Sequence, residues 1–118
     1  MKYMLLIYVD PKSAPKDGSE EQRAEHGAYG TFTEELVGAG VIVGGDPLHG
    51  PDTATTVRVR KGETLTSDGP FAETREHLAG YYIVDVADLD AAIAWAAKIP
   101  SVQHSAIEVR PVQDYSAM

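Results

Sequence analysis

The segment Lys2-Tyr3-Met4-Leu5-Leu6-Ile7-Tyr8-Val9 is apolar along almost its whole length. Successive side chains of a β-strand point to opposite faces of the sheet, so the odd-numbered members of this segment share one face and the even-numbered members share the other. Both sets are apolar, which is typical of a strand that is covered on its two faces. The segment therefore predicts a strand at the centre of a sheet, with both sides of that sheet buried.

The remainder of the chain alternates between helical and extended patterns. Ser19 and Gln22 form a capping-box pattern, which predicts a helix over residues 20–37. Asp88 is the N-cap of a second predicted helix, which runs to Lys98. Further strands are predicted at 41–43, 80–86 and 106–112, and a hairpin with one solvated face is predicted at 55–60 and 63–66.

This order of elements reduces to a β-α-β-β-α-β unit, a ferredoxin-like sandwich of the α+β class that carries an extra hairpin. A chain of 118 residues fits one domain, so residues 1–118 are predicted to form a single unit. Both crossover helices lie on the same face of the sheet, which leaves the second apolar face of the first strand without a cover. An apolar patch of that size on a monomer is an association site. We therefore predict a homodimer whose sheets pack face to face, with a ligand cleft between the sheet and the partner.

Composition excludes several classes of function. The chain has 18 acidic and 10 basic residues and a net charge of −8, which repels phosphate backbones, so no nucleic-acid partner is expected. No apolar run approaches the ~20 residues that span a bilayer, so no membrane association is expected. The sequence contains no cysteine, which excludes disulfides and thiolate chemistry and favours a cytoplasmic location.

The sequence contains no pattern that holds a cofactor or a metal ion. Its 4 histidines are far apart, and none has the spacing of a metal-binding pair. Phosphate loops, dinucleotide fingerprints and nucleophile elbows are likewise absent from the sequence. We expect no metal and no cofactor, so any reaction would depend on the protein's own side chains.

The densest group of unusual residues is the tetrad Asp68-Gly69-Pro70-Phe71, which follows the predicted hairpin. Asp68 is either a turn-forming aspartate that hydrogen-bonds the following backbone or a partly buried general acid or base. Phe71 either anchors the loop or stacks on a bound substrate. We take Asp68 as a candidate catalytic residue and Phe71 as a candidate substrate-binding residue, in the wall of a small-molecule cleft.

His77 is a second candidate for acid/base catalysis. It lies four residues after Glu73, so on a helical turn the two side chains would share a face and the carboxylate would favour the protonated imidazole. An exposed ion pair of little consequence is the alternative. Its position just before a central strand favours the catalytic interpretation, because loops at such positions border clefts.

Three further residues are candidates for binding a substrate. Tyr29 and Tyr82 carry phenols that can donate to a ligand's carboxylate or carbonyl oxygen, and core packing with the hydroxyl at a rim is the alternative. Arg110 and Glu108 project from the same face of the last strand, opposite Ile107. They form either an ion pair at the dimer cleft, where Arg110 would contact the substrate, or a pair that only decorates the sheet edge.

Several separated motifs together resemble one known family. They are Asp68-Gly69-Pro70-Phe71, Gly80-Tyr81-Tyr82, the helix that starts Asp88-Leu89-Asp90, and the ending Glu108-Val109-Arg110-Pro111-Val112. Over nearly its whole length the chain resembles the DGPF branch of the YCII-related family. The resemblance implies the dimeric α+β barrel fold, on which muconolactone isomerases, small monooxygenases and chloromuconolactone dehalogenases are also built. It further implies a link to signalling, since DGPF domains often accompany extracytoplasmic-function sigma factors.

The resemblance also adds a candidate catalytic residue. In the YCII branch proper, a helix histidine and a nearby aspartate are proposed as an acid/base pair. That histidine would fall near Tyr29, whereas His26 lies almost one turn earlier, and whether His26 takes its place is open. We include His26 among the candidate catalytic residues.

Two functions of different classes follow as hypotheses. The first is a small-molecule enzyme of the isomerase or lyase type that works without a cofactor, with Asp68, His77 and His26 or Tyr29 as its acid/base groups. The second is a non-catalytic ligand-binding or regulatory module, for example one associated with sigma-factor signalling. In the second hypothesis the tetrad has a purely architectural role.

Overall fold

The computed structural model describes residues 1–117, and its elements follow the predicted order. Within that range, short 3₁₀ turns at Pro51–Thr53 and Tyr115–Ala117 accompany the helices and strands. The strands are β1 (Lys2–Val9), β2 (Ile42–Pro47), β3 (Thr55–Arg60), β4 (Glu63–Asp68), β5 (His77–Asp85) and β6 (Ser105–Pro111), and the helices are α1 (Glu20–Gly38) and α2 (Leu89–Ala96).

Four of the strands form one antiparallel sheet in the order β2-β5-β1-β6. Helix α1 connects β1 with β2, and helix α2 connects β5 with β6. This is the ferredoxin-like arrangement of the α+β class, and the prediction of the fold is confirmed. Strands β3 and β4 form a separate two-stranded sheet, which is the extra hairpin.

The first turns of both helices are held by side-chain caps. The Oγ of Ser19 accepts a hydrogen bond from the backbone N–H of Gln22 at 3.1 Å. The Gln22 side chain accepts from the backbone N–H of Gly18 at 2.7 Å, one residue before the partner of an ideal capping box. Asp88 caps α2 by accepting from the N–H of Ala91 at 2.9 Å. Both helices therefore begin where their capping residues predict.

The core lies between the sheet and the two helices. The odd-numbered residues of β1 between 3 and 7 are at most 5% exposed and belong to this core. Phe32 of α1 packs edge-on against Tyr82 and Trp95, with ring centroids 5.3 and 6.2 Å away. One apolar face of β1 is thus sealed within a single chain. The other core residues are Leu36, Val84, Val86, Ala92, Ala96 and Ile99.

The opposite face of the sheet, which we call the open face, points away from this core. Met4 and Leu6 of β1 lie on it beside Ile83 and Tyr81 of β5, and all four side chains are half-buried. The even-numbered set of β1 is therefore apolar and only partly covered, as the face counting predicts. The homodimer that would cover it stays a prediction.

The β3–β4 hairpin exposes apolar side chains. Val57 and Val59 are 59% and 58% exposed, and Phe71, just after the hairpin, is 78% exposed. The guanidinium of Arg58 lies 5.2 Å from the centre of the Phe71 ring, a cation–π distance.

The radius of gyration is 16.4 Å, against about 13.5 Å for a compact chain of this length. The fold is therefore less compact than its length requires, and the hairpin has little support from the main core.

Two local predictions are wrong. The sequence predicts that the second strand ends at residue 43, but β2 continues to Pro47, with a register shift against β5 near Gly44. Glycine lets a strand bulge and continue, whereas the sequence pattern indicates a turn.

Residues 71–76 form bends and open coil, and His77 is the first residue of β5. Glu73 and His77 therefore do not share the face of a helical turn.

Candidate functional site

A cavity of about 500 Å³ lies between α1 and the sheet, in the described part of the chain. Its apolar lining includes Ile7 and Val9 of β1 and Ile42 of β2. Ile7 belongs to the face of the sheet that the helices cover. The sequence predicts a cleft between the open face and a dimer partner, so the cavity lies on the other side of the sheet and within one chain.

The two halves of α1 explain why space is left there. The second half of the helix contributes Phe32 and Leu36, which are buried in the core. The first half contributes Glu25, His26 and Tyr29 to the cavity lining instead. Large apolar side chains close the second half onto the sheet, whereas polar side chains keep the first half hydrated and leave a hollow beneath it.

Tyr29 and Ser101 form a hydroxyl pair at the cavity wall. Their side-chain oxygens are 2.6 Å apart, and the Oγ of Ser101 is 3.1 Å from the Oγ of Ser105. Ser101 is 1% exposed. The hydroxyl of Ser105 also donates to the backbone carbonyl of Ser101 at 2.8 Å. Burial raises the pKa of the Tyr29 phenol, and the neighbouring Glu25 carboxylate raises it further. The phenol is therefore neutral around pH 7 and can donate a hydrogen bond.

Glu25 and His104 form the second polar pair of the cavity. The Oε2 atom of Glu25 lies 2.7 Å from Nε2 of His104, and each side chain is 23% exposed. Nδ1 of His104 is buried and has no hydrogen-bond partner among residues 1–117. The tautomer with its proton on Nε2 suits this setting, because it donates to Glu25 and leaves no buried N–H unpaired. His104 thus holds a carboxylate in place at the cavity wall.

A further hydroxyl pair lines the cavity toward β5. The Oγ1 of Thr33 lies 3.0 Å from the phenol oxygen of Tyr82. Tyr81 and Asp46 pair across β5 and β2 with their side chains on the open face, where the phenol of Tyr81 donates to Oδ2 of Asp46 at 2.9 Å, and this hydrogen bond raises the pKa of Tyr81. The phenols of Tyr29 and Tyr82 and their hydroxyl partners give the cavity several donors and acceptors around an apolar floor.

Two glycines let β2 approach β5 closely enough to form this wall. Gly80 pairs with Pro47, and a Cβ on Gly80 would lie 2.9 Å from the carbonyl oxygen of Asp46. A Cβ on Gly45 would lie 2.7 Å from the carbonyl oxygen of Tyr81. Because both obstacles are backbone atoms, any side chain at these positions would push the strands apart.

Four of the predicted site residues lie at or beside the cavity. His26, Tyr29 and Tyr82 line it. His77 lies in a neighbouring hollow of about 170 Å³, whose lining also includes His49. The structure therefore brings three of the candidates together under α1 and places the fourth next to them.

Asp68 and Phe71 lie away from the cavity lining. Asp68 is exposed at the end of β4, and Gly69, at φ 92°, donates its N–H to the carbonyl of Ala54 at 2.8 Å. The Oγ1 of Thr56 donates to the carbonyl of Gly69, also at 2.8 Å. These bonds close the base of the hairpin, so the tetrad has an architectural part in this fold.

Arg110 lies on the open face, where β6 pairs it with Met4. Its Nε is 3.7 Å from Oε2 of Glu108, and the two side chains are 70% and 48% exposed. The two residues share a face, as the strand pattern predicts, but an exposed pair of this kind contributes little to stability. Arg110 is on the opposite side of the sheet from the cavity.

Sequence reasoning missed Glu25, Ser101 and His104. Glu25 had a detectable signal, because it lies four residues before Tyr29 and so on the same face of α1. Ser101 and His104 lie in the connection between α2 and β6, where no periodic pattern indicates which side chains turn inward. Only the packing of that connection against α1 brings Ser101 to the cavity and His104 to Glu25 behind its wall.

The ionisable and polar side chains around the cavity are the carboxylate of Glu25, the imidazole of His26, phenols and hydroxyls. Within residues 1–117, no three His, Asp or Glu side chains come together as a metal site would require. Over the same residues, none of the helices is long and apolar enough to cross a membrane.

One solved structure with a similar fold is the 5-chloro-2-hydroxyhydroquinone dehydrochlorinase TftG of Burkholderia phenoliruptrix AC1100, in complex with 2,5-dihydroxybenzoquinone. The TM-score is 0.56 with 14% sequence identity, and the match covers 99% of this chain and 98% of that one. At this identity the likeness concerns the fold alone.

Sequence similarity is closer to an uncharacterized protein of Rhizobium meliloti (strain 1021). It is 34% identical over 117 residues, which is 98% of this chain and 94% of the relative. The model of the YCII-related domain matches residues 1–116. With the whole fold covered by both matches, the protein belongs to the YCII-related family.

Proposed function

We propose that the protein binds a small cyclic molecule in the cavity under α1 and acts on it by acid/base chemistry without a cofactor, as an isomerase or lyase. The observation that carries this proposal is the cavity itself: about 500 Å³, with an apolar floor and converging polar groups. Cavities of this size and composition are typical of sites for small molecules. Asp68, Phe71 and Arg110 lie outside it and have no part in the proposal.

Each remaining candidate has a role that follows from its position. Tyr29 and Tyr82 would orient the substrate through their phenols, whose hydroxyls already lie in hydrogen-bonded pairs at the wall. His26 lines the cavity and is exposed, so it can exchange protons with solvent and with a bound molecule. His77, in the neighbouring hollow, would act only on a ligand that extends past the main cavity.

The similar fold of TftG suggests a first substrate to test, since that protein is a dehydrochlorinase of 5-chloro-2-hydroxyhydroquinone. Loss of HCl from this compound converts two of its hydroxyl groups into carbonyl groups. One hydroxyl proton is transferred to the ring carbon that bears chlorine, a second is taken by a base, and chloride leaves, which gives a hydroxybenzoquinone. His26 would be the base that takes the second proton, and solvent would receive the chloride. The reaction needs no oxidant, because the two electrons that the ring loses on becoming a quinone leave with chloride.

The proposal is tested by chloride release and by titration calorimetry with this compound and with hydroquinone. We expect binding to the wild type, weaker binding to Tyr29→Phe, and bound but slowly converted substrate with His26→Asn. Asp68→Asn is the matched control and should behave as the wild type, because Asp68 is exposed at the hairpin. If no compound binds, or if Asp68→Asn is affected and His26→Asn is not, the proposed site is wrong.

A non-catalytic ligand-binding or regulatory module is the second candidate function. The exposed valines of the hairpin and the half-buried open face favour it, because both surfaces suit association with protein rather than chemistry. A domain linked to sigma-factor signalling would use such surfaces. Ligand binding without conversion of any hydroxylated ring or lactone would support this function over the enzyme.

We also propose that the protein is a cytoplasmic homodimer associated through the open face. The half-buried Met4, Leu6 and Ile83 give that face its apolar character. The cavity lies on the other side of the sheet, so a face-to-face dimer would leave it accessible. Two copies would then carry two independent cavities.

A further inference from the structure

We infer that the cavity selects an uncharged ring that carries hydroxyl groups and rejects the corresponding carboxylate or phosphate. This inference rests on the proposed function and names the chemical class of its ligand. Among the described residues whose side chains lie on the cavity side of the sheet and line the cavity, the fixed charge is the carboxylate of Glu25, and none is an arginine or a lysine. Sites that bind carboxylates or phosphates use these two residue types to pair with the anion.

Glu25 is the group that makes the discrimination. Its carboxylate is 2.7 Å from Nε2 of His104, with only 23% of the side chain exposed. Water therefore screens this charge less than it screens the charge of an open surface residue. An anionic substituent nearby would meet like charge, whereas a hydroxyl group would donate a hydrogen bond to the same oxygen atoms.

The neighbouring hydroxyl pair suits the same chemistry. Tyr29 and Ser101, 2.6 Å apart, can each donate and accept, and burial keeps Tyr29 in its neutral form. Neutral hydroxyls complement a ligand hydroxyl without supplying the positive charge that an anion needs. The apolar floor at Ile7 and Ile42 would pack against the ring face.

The remaining ionisable groups on the lining do not reverse this preference. Asp46 is among the lining residues, but its carboxylate accepts from Tyr81 at 2.9 Å on the open face, so its charge points away from the cavity. His26 also lines the cavity, at an exposed position. Its imidazole is open to water, so it interacts with a bound anion less strongly than the less exposed Glu25 carboxylate does.

The test compares two compounds that differ by one carboxylate, hydroquinone and 2,5-dihydroxybenzoate, by titration calorimetry at pH 8. We expect hydroquinone to bind at least about tenfold more tightly, which corresponds to about 1.4 kcal/mol. Glu25→Gln removes the charge and keeps the shape, so it should shrink that ratio. Glu34→Gln, an exposed substitution on the same helix outside the cavity lining, should leave the ratio unchanged.

The outcomes separate this inference from the proposed function. Binding of 2,5-dihydroxybenzoate as tight as that of hydroquinone would overturn the inference and leave the cavity as a binding site. Failure of both compounds, together with failure of 5-chloro-2-hydroxyhydroquinone, would overturn the site and the inference together. If Glu25→Gln does not fold, judged by circular dichroism, 2,5-dihydroxybenzamide takes its place as the probe of the wild type, because it has a substituent of similar shape without the charge. It should bind more tightly than 2,5-dihydroxybenzoate, and equal binding of the two would overturn the inference.

Discussion

Tyr29 shows at the scale of one residue how burial links the site to stability. Its phenol lies beside the buried Ser101, and the loss of hydration raises its pKa above the ordinary value of 10.0. The folded protein therefore holds this proton more tightly than the unfolded chain does. The resulting stabilisation is complete below pH 10 and is lost as the pH rises through the folded-state pKa.

We expect Tyr29→Phe to flatten the alkaline loss of stability. Phenylalanine has no proton to release, so the free energy of unfolding of this variant should fall less between pH 9 and pH 11 than that of the wild type. Chemical denaturation at a series of pH values measures the difference. Tyr115→Phe, at an exposed position, is the control. Equal pH profiles for wild type and Tyr29→Phe would show that Tyr29 is not buried as described.

Individual site residues were predictable only where their residue type and their position in a predicted helix or strand identify them. Tyr29 and Tyr82 were identified as substrate-binding candidates from their residue type, and both line the cavity. Asp68 attracted attention because of an unusual tetrad, yet the tetrad closes a hairpin through the backbone of Gly69. Ser101 could not be found, because its inward position depends on contacts between distant parts of the chain.

Among the elements, the pairing of β2 with β5 depends on glycine. We expect Gly80→Ala to destabilise the protein by about 1–3 kcal/mol, because the new Cβ would lie 2.9 Å from the carbonyl oxygen of Asp46. Gly27→Ala, on α1 with nothing within 4 Å of the added Cβ, should instead stabilise by about 0.5–1 kcal/mol. Urea denaturation of the two variants measures both effects, and a destabilised Gly27→Ala or an unaffected Gly80→Ala would contradict this account.

Element positions were predicted well where capping or alternation is strong. The caps at Ser19 and Asp88 mark the starts of α1 and α2, and the alternation at 55–60 matches β3. The end of β2 was missed, because Gly44 and Gly45 resemble a turn in sequence. Their actual use, close approach to β5, is a tertiary contact that no local pattern contains.

At the scale of the whole molecule, the open face predicts association. We expect Leu6→Asp to weaken a homodimer by at least about tenfold, because a buried unpaired charge costs more than the 1.4 kcal/mol that this factor represents. Val37→Asp, on α1 at a residue that is 60% exposed, is the matched control. Light scattering across micromolar concentrations gives the mass. A wild-type monomer under these conditions would show that the open face is not a dimer interface.

The overall fold was predictable because β1 is apolar on both faces and the elements follow a simple order. The location of the cavity was not, since the sequence suggests a hollow between two subunits and the structure has one beneath a helix. The difference depends on which half of α1 carries Phe32 and Leu36 toward the sheet. Helical periodicity identifies an inward face, but it does not indicate how far each turn stands from the sheet.

The hairpin has one more consequence. Two strands alone are marginally stable in water, and β3 and β4 pair with no third strand of the described chain. Its valines would gain a cover only from a neighbouring molecule. In a dilute solution of monomers, the β3–β4 hairpin would unfold before the four-stranded sheet does. An ordered hairpin at low concentration would therefore indicate that another molecule covers it.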